Sequence, residues 1–170
     1  KFTKFFGKNS KIIDCTFPHN NSLVESLEEI LKESEIAVRQ GATQLILTDI
    51  NISEEKVAIP MLLCVGAINK YLIEKKLRGY VSINVQTGEA LDTHSFATIL
   101  GVGATTINPY LALDSLNQRY EKKLFGKLNY EECIERYIKS INFGLLKIMS
   151  KMGISVLSSY RGGCNFEALG

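Results

Sequence analysis

No stretch of this sequence approaches the roughly 18 apolar residues that a membrane-spanning helix needs, so no membrane partner is expected. Charge of one sign is equally scarce. Twenty Lys and Arg against 18 Asp and Glu leave a net +2, dispersed along the chain, and no basic stripe marks a nucleic-acid footprint. Cysteine occurs four times, at Cys15, Cys64, Cys133 and Cys164, never as CxxC, and the first three lie within apolar patterns. They read as free buried thiols of a reducing cytoplasm rather than as disulfides or a metal site. Histidine occurs twice. His94 lies close to Glu89 and Asp92, where a general base or metal ligand is conceivable, but no second histidine is placed to complete a metal set. It reads as an exposed or capping residue at a helix start, and His19, in a polar loop after Pro18, carries less information still.

What is present is ordinary globular material: 170 residues, 45% hydrophobic and 22% charged. The first ten residues are basic and aromatic and predict no element. Lys11 to Phe17 reads as a short strand closed by Pro18. Ser22, with Glu25 three residues on, predicts a helix whose face is Leu23, Leu27, Ile30, Leu31, Ser34 and Val38. Gln44 to Ile50 is a nearly continuous apolar run, the pattern of a parallel strand buried on both faces. Pro60 opens a helix through Lys75. Tyr80 to Val85 predicts a third strand, Thr93 to Leu100 a helix, Ala104 to Asn108 a fourth strand, and Leu111 to Leu116 a further helix. Successive β-α units predict an α/β fold with a mainly parallel sheet, either an open sheet or a partial barrel.

Gln118 to Asn129 is charged and reads as a linker, so the expected organisation is 1–117, a linker at 118–129, and a second body at 130–170. In that last stretch Ile138, Ile141, Leu145, Ile148 and Met152 predict one buried helix face. Lys151 suits the last turn and Gly153 the stop. Gly153 to Tyr160 then predicts a strand, with a polar glycine-rich loop through Cys164.

Candidate chemistry is sparse. Asp49 ends a buried strand, where a carboxylate serves either function or a turn cap. Gly101 and Gly103 resemble half a nucleotide fingerprint but precede a strand instead of following one, which excludes a phosphate-binding role. Ser150 and Lys151, and the run Ser158 to Gly163 with Arg161, offer glycine-rich backbone, hydroxyls and cations to an anion or a cofactor edge, or form plain polar turns.

The stretch MSKMGISVLSSYRGGCNFEALG, from Met149 to Gly170, resembles the start of the FMN-binding domain of the glutamate synthase large-chain family. AIPMLLCVGAINKYLI, GEALDTHSFATILGVGATTINPYLAL and YIKSINFGLLKIMSKMG resemble that family's central domain and its junction. The resemblance runs from about Leu45 to Gly170. It implies a multidomain enzyme that makes two glutamates from glutamine, 2-oxoglutarate and a reductant, with ammonia passing through a tunnel to FMN and electrons relayed by a three-iron 3Fe-4S cluster. It places Ser150, Lys151, Met152 and Gly153 near the FMN site and Ser159, Tyr160, Arg161 and Glu167 at the tunnel. The nucleophilic cysteine and the cluster cysteines belong to other segments, so no catalytic residue, metal ligand or bound cofactor is expected in this chain. The family often reads Ala-Gln-Ile where this chain has Gly163, Cys164 and Asn165, so no role of that glutamine carries over and Cys164 is no cluster ligand.

The expected role is therefore a structural bridge and tunnel wall between the amidotransferase and FMN domains, within a longer cytoplasmic protein. The other domains of the same chain are its expected partners, with a small reductase subunit or ferredoxin beyond them, and the isolated piece is expected to self-associate. The rival reading is a free-standing, non-catalytic α/β module that binds a small ligand or a protein.

Overall fold

The computed structural model describes residues 5–163 and 165–166. Cys164 and Glu167 lie outside the described residues. The elements run β1 (Ser10–Asp14), β2 (Thr16–Pro18), α1 (Leu23–Arg39), β3 (Gln44–Thr48), β4 (Lys56–Ala58), α2 (Met61–Glu74), β5 (Ser82–Gln86), α3 (Thr93–Gly101), β6 (Thr106–Asn108), α4 (Tyr110–Glu121), α5 (Tyr130–Lys151) and α6 (Leu157–Tyr160). Among the described residues no helix is long and apolar enough to cross a membrane.

β1, β3, β5 and β6 form a parallel sheet in that order. Each strand is added beside the one before it, and the order never reverses. With right-handed crossovers such winding puts every helix on the same side. The structure obeys this: Ile13, Leu45, Leu47, Ile83 and Val85 share one core with Ile30, Val38, Cys64, Ile68, Leu72, Phe96 and Leu100 from α1, α2 and α3. The helices thus cover one face of the sheet, unlike those of a doubly wound sheet, which lie on both faces.

Because side chains alternate along a strand, the register assigns the other face as well. Ile12, Ile46, Asn84 and Thr106 form one row across it, and Asp14, Thr48, Gln86 and Asn108 the next. A polar ladder runs along this face: Thr106 Oγ1 donates to Asn84 Oδ1 at 2.8 Å, and Asn84 Nδ2 donates to Gln44 Oε1 at 2.8 Å. Ile46 is fully buried beneath it, so β3 is covered on both sides as its continuous apolar run predicts.

The helices start where their caps dictate. Ser22 accepts from the Glu25 N–H to open α1, and Asp92 accepts from the Ser95 N–H at 2.8 Å to open α3. Ser34 Oγ in α1 is buried with no hydrogen-bond partner among the described residues. Ser34→Ala removes a desolvated hydroxyl and is expected to raise stability by up to about 1 kcal/mol, read from urea denaturation; a loss of that size would reveal a partner for the hydroxyl.

Three expectations are corrected. The expected strand at 11–17 is two elements, because Cys15 turns the chain so that β2 pairs antiparallel with β4, Phe17 opposite Val57. The expected linker at 118–129 opens with the end of a helix: α4 runs to Glu121, and α5 begins at Tyr130, eight residues before Ile138. Its start is a capping box in which the Asn129 side chain accepts from the Glu132 N–H at 2.9 Å and Glu132 accepts from the Asn129 N–H at 2.8 Å. The expected strand at 153–160 is absent. Gly153 ends α5 at φ +70°, Ile154 N–H bonds the Met149 carbonyl at 2.9 Å, and the chain enters the short helix α6. Burial of Tyr160 against α3 outweighs the β propensity of Ile154 and Val156, which find no ladder partner.

α5 packs on α3 and α4. Ile141, Leu145 and Met149 enter the common core, while Ile138 and Met152 of the expected face are 48% and 43% exposed. Ile138 borders an apolar groove of about 550 Å³ beside β6, and Met152 lies past the helix end. Close approach of α3 and α5 requires Gly144, where a Cβ would stand 2.4 Å from Thr93 Cγ2.

Candidate functional site

The carboxyl ends of the strands carry the densest polar network. Asp49 follows β3 directly and is 1% exposed. It does not cap its own turn. Its Oδ2 accepts from Thr87 Oγ1 at 2.5 Å, and its two oxygens accept from the Gly88 N–H at 3.2 and 3.1 Å, so it braces the loop after β5. Of the two sequence readings for Asp49, the cap of the turn that follows it is not realised. Thr87 in turn accepts from the Glu89 N–H at 3.1 Å.

Glu89 turns its carboxyl to the Met61 N–H, 3.0 and 3.1 Å from the two oxygens. Pro60 gives α2 no side-chain cap, and the Glu89 carboxylate supplies the anion that a helix N-terminus favours. Loss of hydration pushes the Glu89 carboxyl up, opposed by the Met61 bond and aided by the Asp49 charge. A carboxyl raised in the folded state contributes stability that is fully present below the unfolded pKa and lost as pH rises through the folded one. Urea midpoints are therefore expected to fall less between about pH 4 and about pH 7 in Glu89→Gln than in the wild type. Equal changes in the two proteins would show that Glu89 does not contribute.

Tyr110, at the start of α4, leans over Gly88, where a Cβ would meet Tyr110 Oη at 3.1 Å. Burial, helped by Asp49, pushes its phenol up to about 12. The edge is completed by Asp14, which accepts from Thr16 Oγ1 at 2.8 Å and from Asn51 Nδ2 at 3.0 Å. These groups satisfy one another, and sequence reasoning found Asp49 but missed Glu89 and Tyr110 as its neighbours. The signal was there in the loop at the carboxyl end of β5, since β-α order brings consecutive strand ends together.

The residues expected near FMN, Ser150, Lys151, Met152 and Gly153, are an exposed helix C-terminus, remote in character from the braced edge. Carbonyls, not N–H groups, point outward there, and one lysine offsets their negative end. By themselves these residues make no phosphate cradle. Of the expected tunnel residues, Ser159 is exposed, Arg161 is half-buried, and Tyr160 is fully buried with its hydroxyl donating to the Ala97 carbonyl at 3.0 Å. His94 is exposed on the first turn of α3, and His19 Nδ1 lies 3.2 Å from the Glu55 carbonyl. Gly101 and Gly103 end α3 and take Phe166 and Asn69 against their backbones.

Cys15, Cys64 and Cys133 are free and buried. Contact with Cys64, then burial, pushes the Cys15 thiol up, which makes it unreactive. Among the described residues no three metal-ligating side chains converge.

A parallel sheet with its helices packed on one face and a hydrogen-bonded network at the carboxyl ends of its strands defines an α/β module. The chain belongs to the glutamate synthase central domain family, whose members' pattern matches residues 2–170. That span includes residues 2–44, ahead of the stretch from about Leu45 on which the resemblance rests. The chain is 50% identical over 169 residues to the glutamate synthase (NADPH) large chain of Azospirillum brasilense, covering 98% of this chain and 11% of that one. It is 44% identical to the glutamate synthase (NADPH) large chain of Bacillus subtilis over 95% of this chain and 10% of the relative. Against the chloroplastic ferredoxin-dependent glutamate synthase of spinach, identity is 41% over 88% of this chain and 10% of the relative. The chain thus spans about a tenth of the length of the relatives it matches.

Proposed function

We propose that this chain works within a glutamate synthase, where glutamine, 2-oxoglutarate and a reductant yield two glutamates, as the bridge between the amidotransferase and FMN domains. In this reading it carries no reacting group and supplies wall to the ammonia path, with Ser159, Tyr160, Arg161 and Glu167 on that side. The observation that carries the reading is the outer surface of α5. Phe143 and Leu146, three residues apart on that surface, are 72% and 59% exposed. Large apolar side chains grouped in this way on one side of a folded body favour a covering partner. Neighbouring domains of the same polypeptide fit that need, and in the isolated chain self-association takes their place.

FMN and a 3Fe-4S cluster belong, in this reading, to the longer protein. Ser150 to Gly153 supply at most one edge of a flavin site, so the 170-residue chain is proposed not to retain FMN. The donor differs among relatives named for NADPH, NADH and ferredoxin, with 50%, 36% and 41% identity to this chain. A small reductase subunit or ferredoxin is accordingly a partner of the longer protein rather than of this module.

The bridge is tested in the longer enzyme with Phe143→Glu and Leu146→Glu combined. Bridging predicts that glutamine hydrolysis loses its coupling to 2-oxoglutarate reduction while the module stays folded. One glutamine consumed per 2-oxoglutarate reduced in that variant would refute it. Glu167→Ala tests the tunnel in the same assay: uncoupled turnover supports a gating carboxyl, and strict coupling removes it.

A further inference from the structure

At the end of the sheet opposite the Asp49 network, the starts of β3, β5 and β6 surround a polar cavity of about 370 Å³. Thr43, Gln44, Ser82 and Thr105 line it together with Arg78 and Arg161, and among the described residues none that lines it is acidic. Arg78 is held rigidly. Its Nε donates to Asn69 Oδ1 at 2.7 Å, Nη1 to the Val81 carbonyl at 2.5 Å, and Nη2 to the Gly103 carbonyl at 2.9 Å. All three acceptors are neutral, so among the described residues no acidic group compensates the guanidinium charge, and two of its five N–H groups have no acceptor there. Arg161 brings a second guanidinium, which no acceptor among the described residues engages. Burial and the Arg161 charge both pull Arg78 down.

Two like charges lining one partly buried cavity repel, and an anion between them converts that repulsion into attraction. Guanidinium forks match the paired oxygens of carboxylate and phosphate, and hydroxyls of threonine and serine can complete the shell. We propose that this cavity is a binding site for a small oxyanion, a phosphate or a carboxylate, held between Arg161 and the fixed Arg78. The argument uses only this cavity and stands apart from the bridge reading. A free ion and a carboxyl side chain from another segment of a longer polypeptide share the required chemistry.

The test is a titration of the 170-residue chain with inorganic phosphate, and separately with succinate, against sodium chloride at equal ionic strength. It is followed by calorimetry and by the arginine Nε–H resonances. Saturable one-site binding that shifts the Arg78 and Arg161 resonances is expected. Arg161→Gln, which removes no side-chain hydrogen bond to another described residue, is expected to weaken binding by about tenfold or more, and Arg161→Lys by less. No saturable response to either anion beyond chloride overturns the site, as does undiminished binding in a folded Arg161→Gln. Should that variant unfold, unshifted resonances of both arginines in the wild type at saturating anion overturn it equally. Phosphate binding retained in the longer polypeptide assigns the site to a free ion; binding lost there assigns it to a carboxyl group supplied by the same polypeptide.

Discussion

Tyr160→Ala is expected to cost about 3–5 kcal/mol, the range for deleting a fully buried aromatic ring, and to lower Tm by on the order of 10 °C. Tyr160 is the largest of the fully buried side chains. It holds α6 on α3 through the Ala97 carbonyl and meets Phe166 edge-to-face at 6.1 Å between ring centroids, while Phe166 covers Gly101. Removing the ring therefore opens a cavity and frees the segment behind it. Tyr160→Phe keeps the ring and loses only the hydroxyl bond, about 1 kcal/mol. Differential scanning calorimetry of both variants separates the two contributions. If alanine costs no more than phenylalanine, the packing described for this ring is wrong.

Asp49→Ala ranks second, at about 2–4 kcal/mol, because it strands a buried hydroxyl and a backbone N–H at once. The loss is local in origin: Thr87 and Gly88 lose their acceptor, and the loop after β5 comes loose beneath Tyr110. Hydrogen exchange at the Gly88 amide is expected to accelerate even under conditions where the fold persists. Asp49→Asn restores only one acceptor and turns an N–H group toward the remaining donor, so it recovers only part of the loss. An unchanged Gly88 exchange rate in Asp49→Ala would exclude the bracing role.

How much of this was legible in the sequence depends on the range of the interaction that decides each element. The parallel strands and α1 to α3 were legible, because a continuous apolar run such as Leu45 to Leu47 and a cap such as Ser22 are local signals. The start of α5 was equally local, in Asn129 and Glu132, but the charges of 118–129 read as linker and hid it. The segment 153–160 was not legible. Its alternation of Ile154, Val156 and serines says strand, and only the distant carbonyl of Ala97 and the packing of Tyr160 decide for helix. The edge network shows the same division. Asp49 was marked by its position after an apolar run, whereas Glu89 serves a helix 28 residues upstream, a pairing no local pattern announces. The Arg78 and Arg161 cavity joins residues from a turn and from the far end of the chain, and Arg161 was singled out without its partner.

The strand order β1-β3-β5-β6 also bears on how the chain is made. No later strand inserts between two earlier ones, so as the polypeptide leaves the ribosome each new strand meets an edge that already exists. The sheet grows at one side only, by β-α units that close over short sequence distances, and no completed pairing has to reopen. β1 and β3 can be registered before β5 is synthesised, and β5 before β6. α5, emerging after β6, lays Ile141, Leu145 and Met149 onto a sheet whose strands have already been synthesised.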